Sequence, residues 1–302
     1  MGKKYVRLSD IRIRDPFVLP VESEQQYYLF GSTDEDVWFG KGEGFRVWRS
    51  MDLQQWEGGT FAFQPPHGFW ADRNFWAPEV HMYHGAFYMM ASFLAAGCHR
   101  GVQLLRAFSP EGPYSPFTDG PITPPEWDCL DGTLYVENGK PYMIFSHEWT
   151  QIQDGAIRCA EMSEDLTHFL ETPRVLFHAS EAPWSIAGTG NVVRKAGENY
   201  VTDGPYLFRN HNGLWMLWSS YSKMGYAIGA AHSISGSVHG PWKHAAEPFY
   251  NHDGGHGMLF LTFEGKRLLA IHTPNESPEE RAVFFEVAED PALGLQIQVA
   301  QI

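Results

Sequence analysis

The strongest constraint on the fold is a motif that recurs five times along the chain. Each copy opens on an ionisable or metal-binding side chain, then runs into an apolar strand, a polar turn and a second apolar strand. The opening residues are Asp15, Glu79, Asp131, Asp203 and His256. They lie roughly 50 to 70 positions apart, and repeats of that length with several strands each are typical of propeller blades.

Further strand signals complete each repeat. In the first repeat a third strand near 45–50 ends in a polar turn, and a fourth strand follows near 59–63. Weaker forms of this ending recur in the next three repeats, and no amphipathic helix of twelve or more residues is evident. The sequence therefore predicts an all-β fold, a five-bladed β-propeller with four antiparallel strands per blade. Residues 1–302 are expected to form it as a single domain.

Composition excludes several classes of partner. A net charge of −14 argues against nucleic acid, which requires a basic surface. No apolar run is long enough to cross a membrane. The three cysteines have neither disulfide nor metal spacing, so we expect free thiols. The N-terminus lacks a secretory apolar core, which leaves an intracellular protein or one whose leader was removed. The oligomeric state is left open.

The propeller model places the opening residues together. The first strand of each blade lines the central channel, so these side chains should converge at one of its ends. Carboxylates that repel one another in a narrow channel have raised pKa values, which separates an ionised base from a protonated acid. Glycoside hydrolysis needs that pair, and positions on opposite sides of a channel favour the inverting geometry.

An ordered set of short motifs resembles glycoside hydrolase family 43 over residues 10–290. The motifs are Arg14-Asp15-Pro16, Trp76-Ala77-Pro78-Glu79, Leu130-Asp131-Gly132 and Asp203-Gly204-Pro205-Tyr206-Leu207. The resemblance implies an inverting hydrolase of arabinose- or xylose-containing plant-type glycans, or of galactofuranosides. It implies Asp15 as the general base and Asp131 as the residue that tunes and orients the acid. The expected partner is a carbohydrate.

The third catalytic role departs from the family pattern, in which the general acid is a Glu. Here the fourth repeat opens with Asp203, whose shorter side chain would set the carboxyl about 1.5 Å further back. Glu181, in Ser-Glu-Ala-Pro-Trp, has the family's other wording but is expected on a loop. Glu148, directly after the third repeat's second strand, is the third candidate. Its position at the start of a repeat favours Asp203 as the general acid, whereas the type of side chain favours Glu181.

Other residues are expected around the channel mouth. The candidates for substrate binding are Arg14, Phe75, Trp76, Glu79, Glu148, Trp149, Trp184 and His256. Aromatic rings on loops can form walls against the C–H faces of sugars. No cofactor is required for the chemistry. The resemblance allows a structural calcium ion beside His256, held mostly by water, although calcium prefers oxygen ligands.

Two further classes of function compete with the inverting glycosidase. A non-catalytic propeller could bind glycans or proteins, but such a scaffold has no need to gather carboxylates at its inner strands. A retaining fructan hydrolase shares the five-bladed fold. Its Trp-Met-Asn-Asp-Pro-Asn motif is absent from this sequence.

Overall fold

A computed structural model of the chain describes residues 5–188 and 199–299. Short antiparallel strands dominate it and form five separate sheets. The sheets follow one another along the chain, and each inner strand contacts the neighbouring blade, which closes the five sheets into a ring. The predicted five-bladed β-propeller is therefore confirmed. No helix of the described residues is long and apolar enough to cross a membrane.

Each blade takes its strands from one continuous segment of the chain. Blade one contains β1 (Tyr5–Arg7), β2 (Arg14–Val21), β3 (Gln26–Ser32), β4 (Phe45–Ser50) and β5 (Gln55–Phe63). Blade two contains β6 (Arg73–Tyr83), β7 (Ala86–Leu94), β8 (Gly101–Ala107) and β9 (Ser115–Pro116). Blade three contains β10 (Cys129–Glu137), β11 (Lys140–His147), β12 (Ala156–Glu161) and β13 (Arg174–His178). Blade four contains β14 (Asp203–Asn210), β15 (Gly213–Ser222), β16 (Gly225–Ser233) and β17 (Trp242–His244). Blade five contains β18 (Gly255–Leu261), β19 (Arg267–Thr273), β20 (Arg281–Asp290) and β21 (Gly294–Val299).

Blade one differs from the predicted four strands, because β1 pairs with β5 and adds a fifth strand at the outer edge. Helical structure is minor. Within residues 5–188 and 199–299 it consists of the helix α1 (Trp149–Ile152) and three 3-10 turns, at Leu8–Asp10, Glu22–Glu24 and Ala179–Glu181. The core lies between adjacent blades, where large rings such as Phe45, Phe93 and Trp218 are fully buried.

All five inner strands carry the same bulge near their first residues. Before the bulge, the inner strand pairs with a small polar residue or a histidine on the second strand. These pairs are Arg14–Ser32, Trp76–Ser92, Leu130–Ser146, Asp203–Ser219 and Gly255–His272. The next residue has a left-handed backbone, with φ between 46° and 55°, and we call it the bulge residue. The bulge residues are Asp15, Ala77, Asp131, Gly204 and His256.

Hydrogen bonds from the bulge residues join each blade to the one before it. The backbone N–H of Ala77 donates to Ser32 Oγ at 2.9 Å, and that of Asp131 donates to Ser92 Oγ at 2.9 Å. The N–H of His256 donates to Ser219 Oγ at 2.8 Å.

The ring closes between the last blade and the first. The backbone N–H of Asp15 donates to Nδ1 of His272 at 3.1 Å, the counterpart of the serine contacts between the other blades. Ile13 N–H also donates to the carbonyl of Glu280, at 3.4 Å. Because a non-glycine residue pays a conformational cost at positive φ, these bonds hold the bulge residues in place.

Candidate functional site

Three titratable side chains meet at one end of the channel because they occupy the same structural position. Asp15, Asp131 and His256 are bulge residues of blades one, three and five. Nδ1 of His256 lies 3.3 Å from Oδ1 of Asp15 and 3.6 Å from Oδ2 of Asp131. The imidazole therefore lies next to two carboxylates that come from two different blades.

Asp203 joins this group from a different position. It precedes the bulge residue Gly204 by one, so it corresponds to Arg14 of blade one and not to Asp15. The expectation that all five opening residues are equivalent is wrong for Asp203. Its side chain is nonetheless partly buried close to His256 and Asp15, and Oδ2 accepts a hydrogen bond from the hydroxyl of Tyr226 at 2.9 Å.

Glu79 is the second residue to which the predicted equivalence does not apply. Ala77 is the bulge residue of blade two, and Glu79 lies two residues further along β6. Its side chain is buried, and Oε2 lies 3.1 Å from Nε2 of His81 on the same strand. Glu79 therefore belongs to the wall of the channel, paired with a histidine of its own blade.

Asp15 is built to remain ionised. Burial alone raises its pKa, but His256, His272, Arg14 and a hydrogen bond from Ser32 Oγ outweigh burial and lower the pKa to about 2. Ser32 Oγ donates to Oδ2 of Asp15 at 2.6 Å, while the same oxygen accepts the N–H of Ala77. Because its pKa is low, Asp15 accepts a proton from a water molecule only while that water acts as a nucleophile.

Asp131 and Asp203 have the opposite tendency. Burial is the main cause that raises the pKa of each, and the charges of neighbouring carboxylates add to it. Both carboxyl groups therefore keep a proton to a higher pH than an isolated aspartate does. His256 opposes them: burial lowers its pKa, yet the surrounding carboxylates raise it above the ordinary value.

His272 supports Asp15 from beneath. It is fully buried, and burial followed by the charge of Arg14 lowers its pKa to about 3, so the ring is neutral. Because Nδ1 accepts the N–H of Asp15, the hydrogen-bond network assigns the proton to Nε2, which donates to Asn275 Oδ1 at 3.1 Å. The same Asn275 oxygen accepts a bond from Arg14 Nη2 at 2.7 Å.

Gly204 fits a place where no side chain could stand. A Cβ atom there would lie 2.8 Å from Cδ2 and 2.9 Å from Cγ of His256, and φ is 51°. The close approach brings the blade-four backbone against the imidazole. Its N–H donates to Oδ2 of Asp131 at 2.9 Å, so Asp131 holds the residue directly after Asp203.

The other two candidates for the general acid have different settings. Glu181 ends the 3-10 turn after β13, the outermost strand of blade three, where it is exposed and accepts the N–H of His178 at 2.8 Å. The structure therefore does not bring Glu181 to the cluster. Glu148 is buried directly after β11, forms an ion pair with Arg100, and is one of the charges that raise the pKa of Asp203.

Two of the expected sugar-binding rings are core residues instead. Phe75 is 1% exposed, and its ring lies 4.9 Å from that of Phe93 in an aromatic cluster between blades one and two. Trp184 is 5% exposed and lies 4.8 Å from Trp218. Their predicted place at the mouth is wrong, because the interfaces between blades take up these rings. Trp149 begins α1 beside Glu148 and is partly exposed.

Two tryptophan side chains with an arginine at each end form one wall next to the cluster. Arg14 lies 4.9 Å from the ring centroid of Trp38, Trp38 lies edge-on to Trp76 at 5.4 Å, and Arg100 lies 4.3 Å from Trp76. Trp76 Nε1 donates to the carbonyl of Val37, and Trp38 is 42% exposed. The wall therefore runs from Arg14, which is next to Asp15 in the sequence, to Arg100, which forms an ion pair with Glu148.

Sequence reasoning missed Trp38, Arg100, Tyr226 and His272. Trp38 and Arg100 lie on loops that do not repeat between blades, so no periodic signal marks them. His272 and the serines that correspond to it do repeat, as the polar residue near the end of each second strand, and that signal was available.

A bound cation would depend on His256 for its protein ligand. Nδ1 of that ring faces two carboxylates, which leaves Nε2 as the coordinating atom. Residues 5–188 and 199–299 contain no group of three or more His, Cys, Asp or Glu side chains arranged to hold a metal. Calcium with mostly water ligands at this point stays a prediction.

Comparisons with known proteins identify the family of this chain. The family model described as "Glycosyl hydrolases family 43" matches residues 8–286. The crystal structure of an endo-arabinase from Bacteroides thetaiotaomicron VPI-5482 is similar, with 35% identity, a TM-score of 0.86, and 100% of both chains covered.

Two more distant structures share the fold. An endo-1,4-beta-xylanase from Bacteroides thetaiotaomicron VPI-5482 is 23% identical, with a TM-score of 0.72 and coverage of 99% of this chain and 97% of that one. An alpha-L-arabinofuranosidase from Lactobacillus brevis is 16% identical, with a TM-score of 0.70 and coverage of 98% and 99%. No curated protein sequence matches this chain.

Proposed function

This chain belongs to glycosyl hydrolase family 43 and is a glycosidase that hydrolyses O-glycosyl bonds of a carbohydrate, and from that premise we propose its linkage and its mechanism. It is an inverting hydrolase of arabinofuranosyl linkages in plant-type polysaccharides or oligosaccharides. The observation that carries the proposal is the buried group of Asp15, Asp131 and Asp203 around His256, in which one carboxylate has a lowered pKa and two have raised ones.

Asp15 is the general base. It takes a proton from the attacking water as the water oxygen bonds to the anomeric carbon. The surrounding cations and the Ser32 hydroxyl favour its ionised form, and His272 fixes its backbone. Positioned base catalysis contributes about 10²- to 10⁴-fold to rate.

Asp203 is the general acid. Its proton passes to the glycosidic oxygen as the bond to the anomeric carbon breaks, and the electron pair stays on the leaving oxygen. Burial and the neighbouring carboxylates support a protonated form. Glu148 is the weaker candidate because its side chain is already engaged in an ion pair with Arg100.

Asp131 positions the acid and shares its proton. Its carboxylate binds the N–H of Gly204 next to Asp203 and lies near the His256 ring. His256 bridges Asp15 and Asp131, so its positive charge offsets part of the repulsion among the carboxylates. A calcium ion beside His256 would add to this electrostatic compensation, and no step of the mechanism requires it.

Substrate contacts come from the arginine–tryptophan wall. The exposed face of Trp38 suits stacking against the apolar face of a sugar ring. The arginines at its ends offer N–H donors for hydroxyl groups. We propose arabinofuranosyl substrates and not xylosyl or galactofuranosyl ones, because the endo-arabinase is similar to this chain over the whole length at 35% identity.

The proposal is tested with nitrophenyl arabinofuranoside, xyloside and galactofuranoside, together with arabinan and xylan. We expect turnover of the arabinose-containing substrates, and early-time NMR should show the released sugar with the anomeric configuration opposite to that of the substrate. Retention of configuration would contradict the roles of Asp15 and Asp203. Binding of arabinan without turnover of any of these substrates would favour the non-catalytic alternative.

A further inference from the structure

One junction between blades differs from the other four. At those four junctions a side chain on the second strand accepts the N–H of the next bulge residue, and these acceptors are Ser32, Ser92, Ser219 and His272. Between blades three and four the residue in the same register is Ser146. There the N–H of Gly204 goes to Asp131 instead.

Ser146 is a buried hydroxyl without a role in this state. It is fully buried, and within residues 5–188 and 199–299 its Oγ has no hydrogen-bond partner. Its strand, β11, packs against β14, which carries Gly204, as the second strand of each other blade packs against the next inner strand. A buried hydroxyl without a partner destabilises the folded state, so a second partner in another state would explain its presence.

The chain therefore has two acceptors for one N–H donor. Asp131 is a strong acceptor while it is ionised. In the proposed mechanism Asp203 gives up its proton and becomes a carboxylate beside Asp131. The new charge repels the carboxylate of Asp131 and displaces it from the N–H of Gly204.

We propose that Ser146 is a positioning residue that accepts the N–H of Gly204 whenever Asp131 releases it, so that Asp203 keeps its place through the proton cycle. The proposal rests on the proposed roles of Asp203 and Asp131. At that stage of turnover, the junction between blades three and four has the same kind of hydrogen bond that the other four junctions have throughout.

The first test compares Ser146→Ala with Ser219→Ala. Ser219→Ala removes a bond already made and should lower Tm, whereas Ser146→Ala should leave Tm close to that of the unmodified protein. In Ser146→Ala, kcat should fall about fivefold, the rate equivalent of one neutral hydrogen bond, with KM little changed. Unchanged kcat would overturn the proposal, and so would a Tm loss equal to that of Ser219→Ala, because Ser146 would then be bonded in the resting state.

A crystal structure of Asp131→Ala tests the alternative hydrogen bond between Gly204 and Ser146 independently of catalysis. With Asp131 removed, Ser146 Oγ should lie about 2.9 Å from the N–H nitrogen of Gly204, as the serines do at the other junctions. A Gly204 N–H directed to any other acceptor would overturn the proposal. If the bond forms but the roles of Asp203 and Asp131 fail their own tests, the proposed function falls and the two-acceptor junction remains.

Discussion

The hydroxyl of Tyr226 donates a hydrogen bond to Oδ2 of Asp203, with 2.9 Å between the two oxygens. Burial, followed by the charge of Asp203, raises the pKa of Tyr226 well above its ordinary value, so the phenol stays a neutral donor. A donor stabilises the ionised form of the carboxyl group and restrains the rise in its pKa. Tyr226 therefore sets the pH at which the proposed acid loses its proton.

Replacing Tyr226 by Phe should raise the pKa of Asp203, because the ionised form loses its donor. The active acid is the protonated form, so the alkaline limb of the kcat/KM profile should move to higher pH. Tyr114→Phe is the matched control, since that buried hydroxyl donates to the carbonyl of Pro110 outside the channel. An alkaline limb that stays in place or moves to lower pH in Tyr226→Phe would contradict Asp203 as the acid.

Asp15→Asn should keep the fold and the binding of glycan but lose most turnover, by about 10²- to 10⁴-fold. The amide has the same shape and cannot take a proton from water. Circular dichroism, arabinan binding and kcat together provide the measurement. Asp165→Asn, in an exposed turn of blade three, should leave kcat unchanged. Near-normal turnover by folded Asp15→Asn would remove Asp15 from the mechanism.

Leaving groups of different pKa distinguish the three candidate acids. Asp203→Asn should lose activity on alkyl glycosides and retain it on dinitrophenyl glycosides, because dinitrophenolate departs without a proton. Glu181→Gln should behave as the unmodified enzyme on both, since Glu181 lies on the outer side of blade three. If Glu148→Gln shows the leaving-group pattern and Asp203→Asn does not, Glu148 is the acid.

Trp38→Ala should raise KM about tenfold for arabino-oligosaccharides with a smaller effect on kcat, because a stacking platform binds the ground and transition states alike. Phe108→Ala is the matched control. That ring is also exposed and lies beneath an arginine, Arg106, but follows the third strand of blade two. Equal effects of the two changes on KM would exclude Trp38 as part of the binding wall.

Asp131→Asn should stabilise the protein more at pH 8 than at pH 5. The pKa of Asp131 is raised in the folded state, so the folded protein binds more protons than the unfolded chain and loses stability as pH rises. An amide avoids that loss. Thermal unfolding at the two pH values provides the measurement. Asp165→Asn should instead destabilise at both, because hydrogen bonds from Ser163 and Thr167 lower the pKa of Asp165. A stabilisation by Asp131→Asn that is larger at pH 5 would contradict the burial argument.

The blades were predictable because apolar alternation and turn residues recur in every repeat. The register within the repeat was not, because a one-residue bulge changes which side chain faces the axis. Aligning the acidic residues placed Glu79 and Asp203 at the wrong position. The residue that follows would have corrected this, since Pro or Gly comes directly after every bulge residue, including Ala77 and Gly204.

The binding wall could not be predicted in the same way. Trp38 lies in the loop between β3 and β4, and the equivalent loops of the other blades differ from it in length and sequence. Phe75 was expected at the mouth because it lies just before Glu79, and Trp184 because it was expected on a loop around the mouth. Both rings are buried instead, since the interfaces between blades are filled by large aromatic side chains.

The closing contact between His272 and Asp15 also orders events in time. During synthesis on the ribosome, the ring nitrogen that holds the backbone of Asp15 is translated more than 250 residues after Asp15 itself. The nascent chain therefore carries an incomplete hydrolytic centre until the fifth blade has joined the first. The proposed general base is therefore held in place only after blade five has been translated and has packed against blade one.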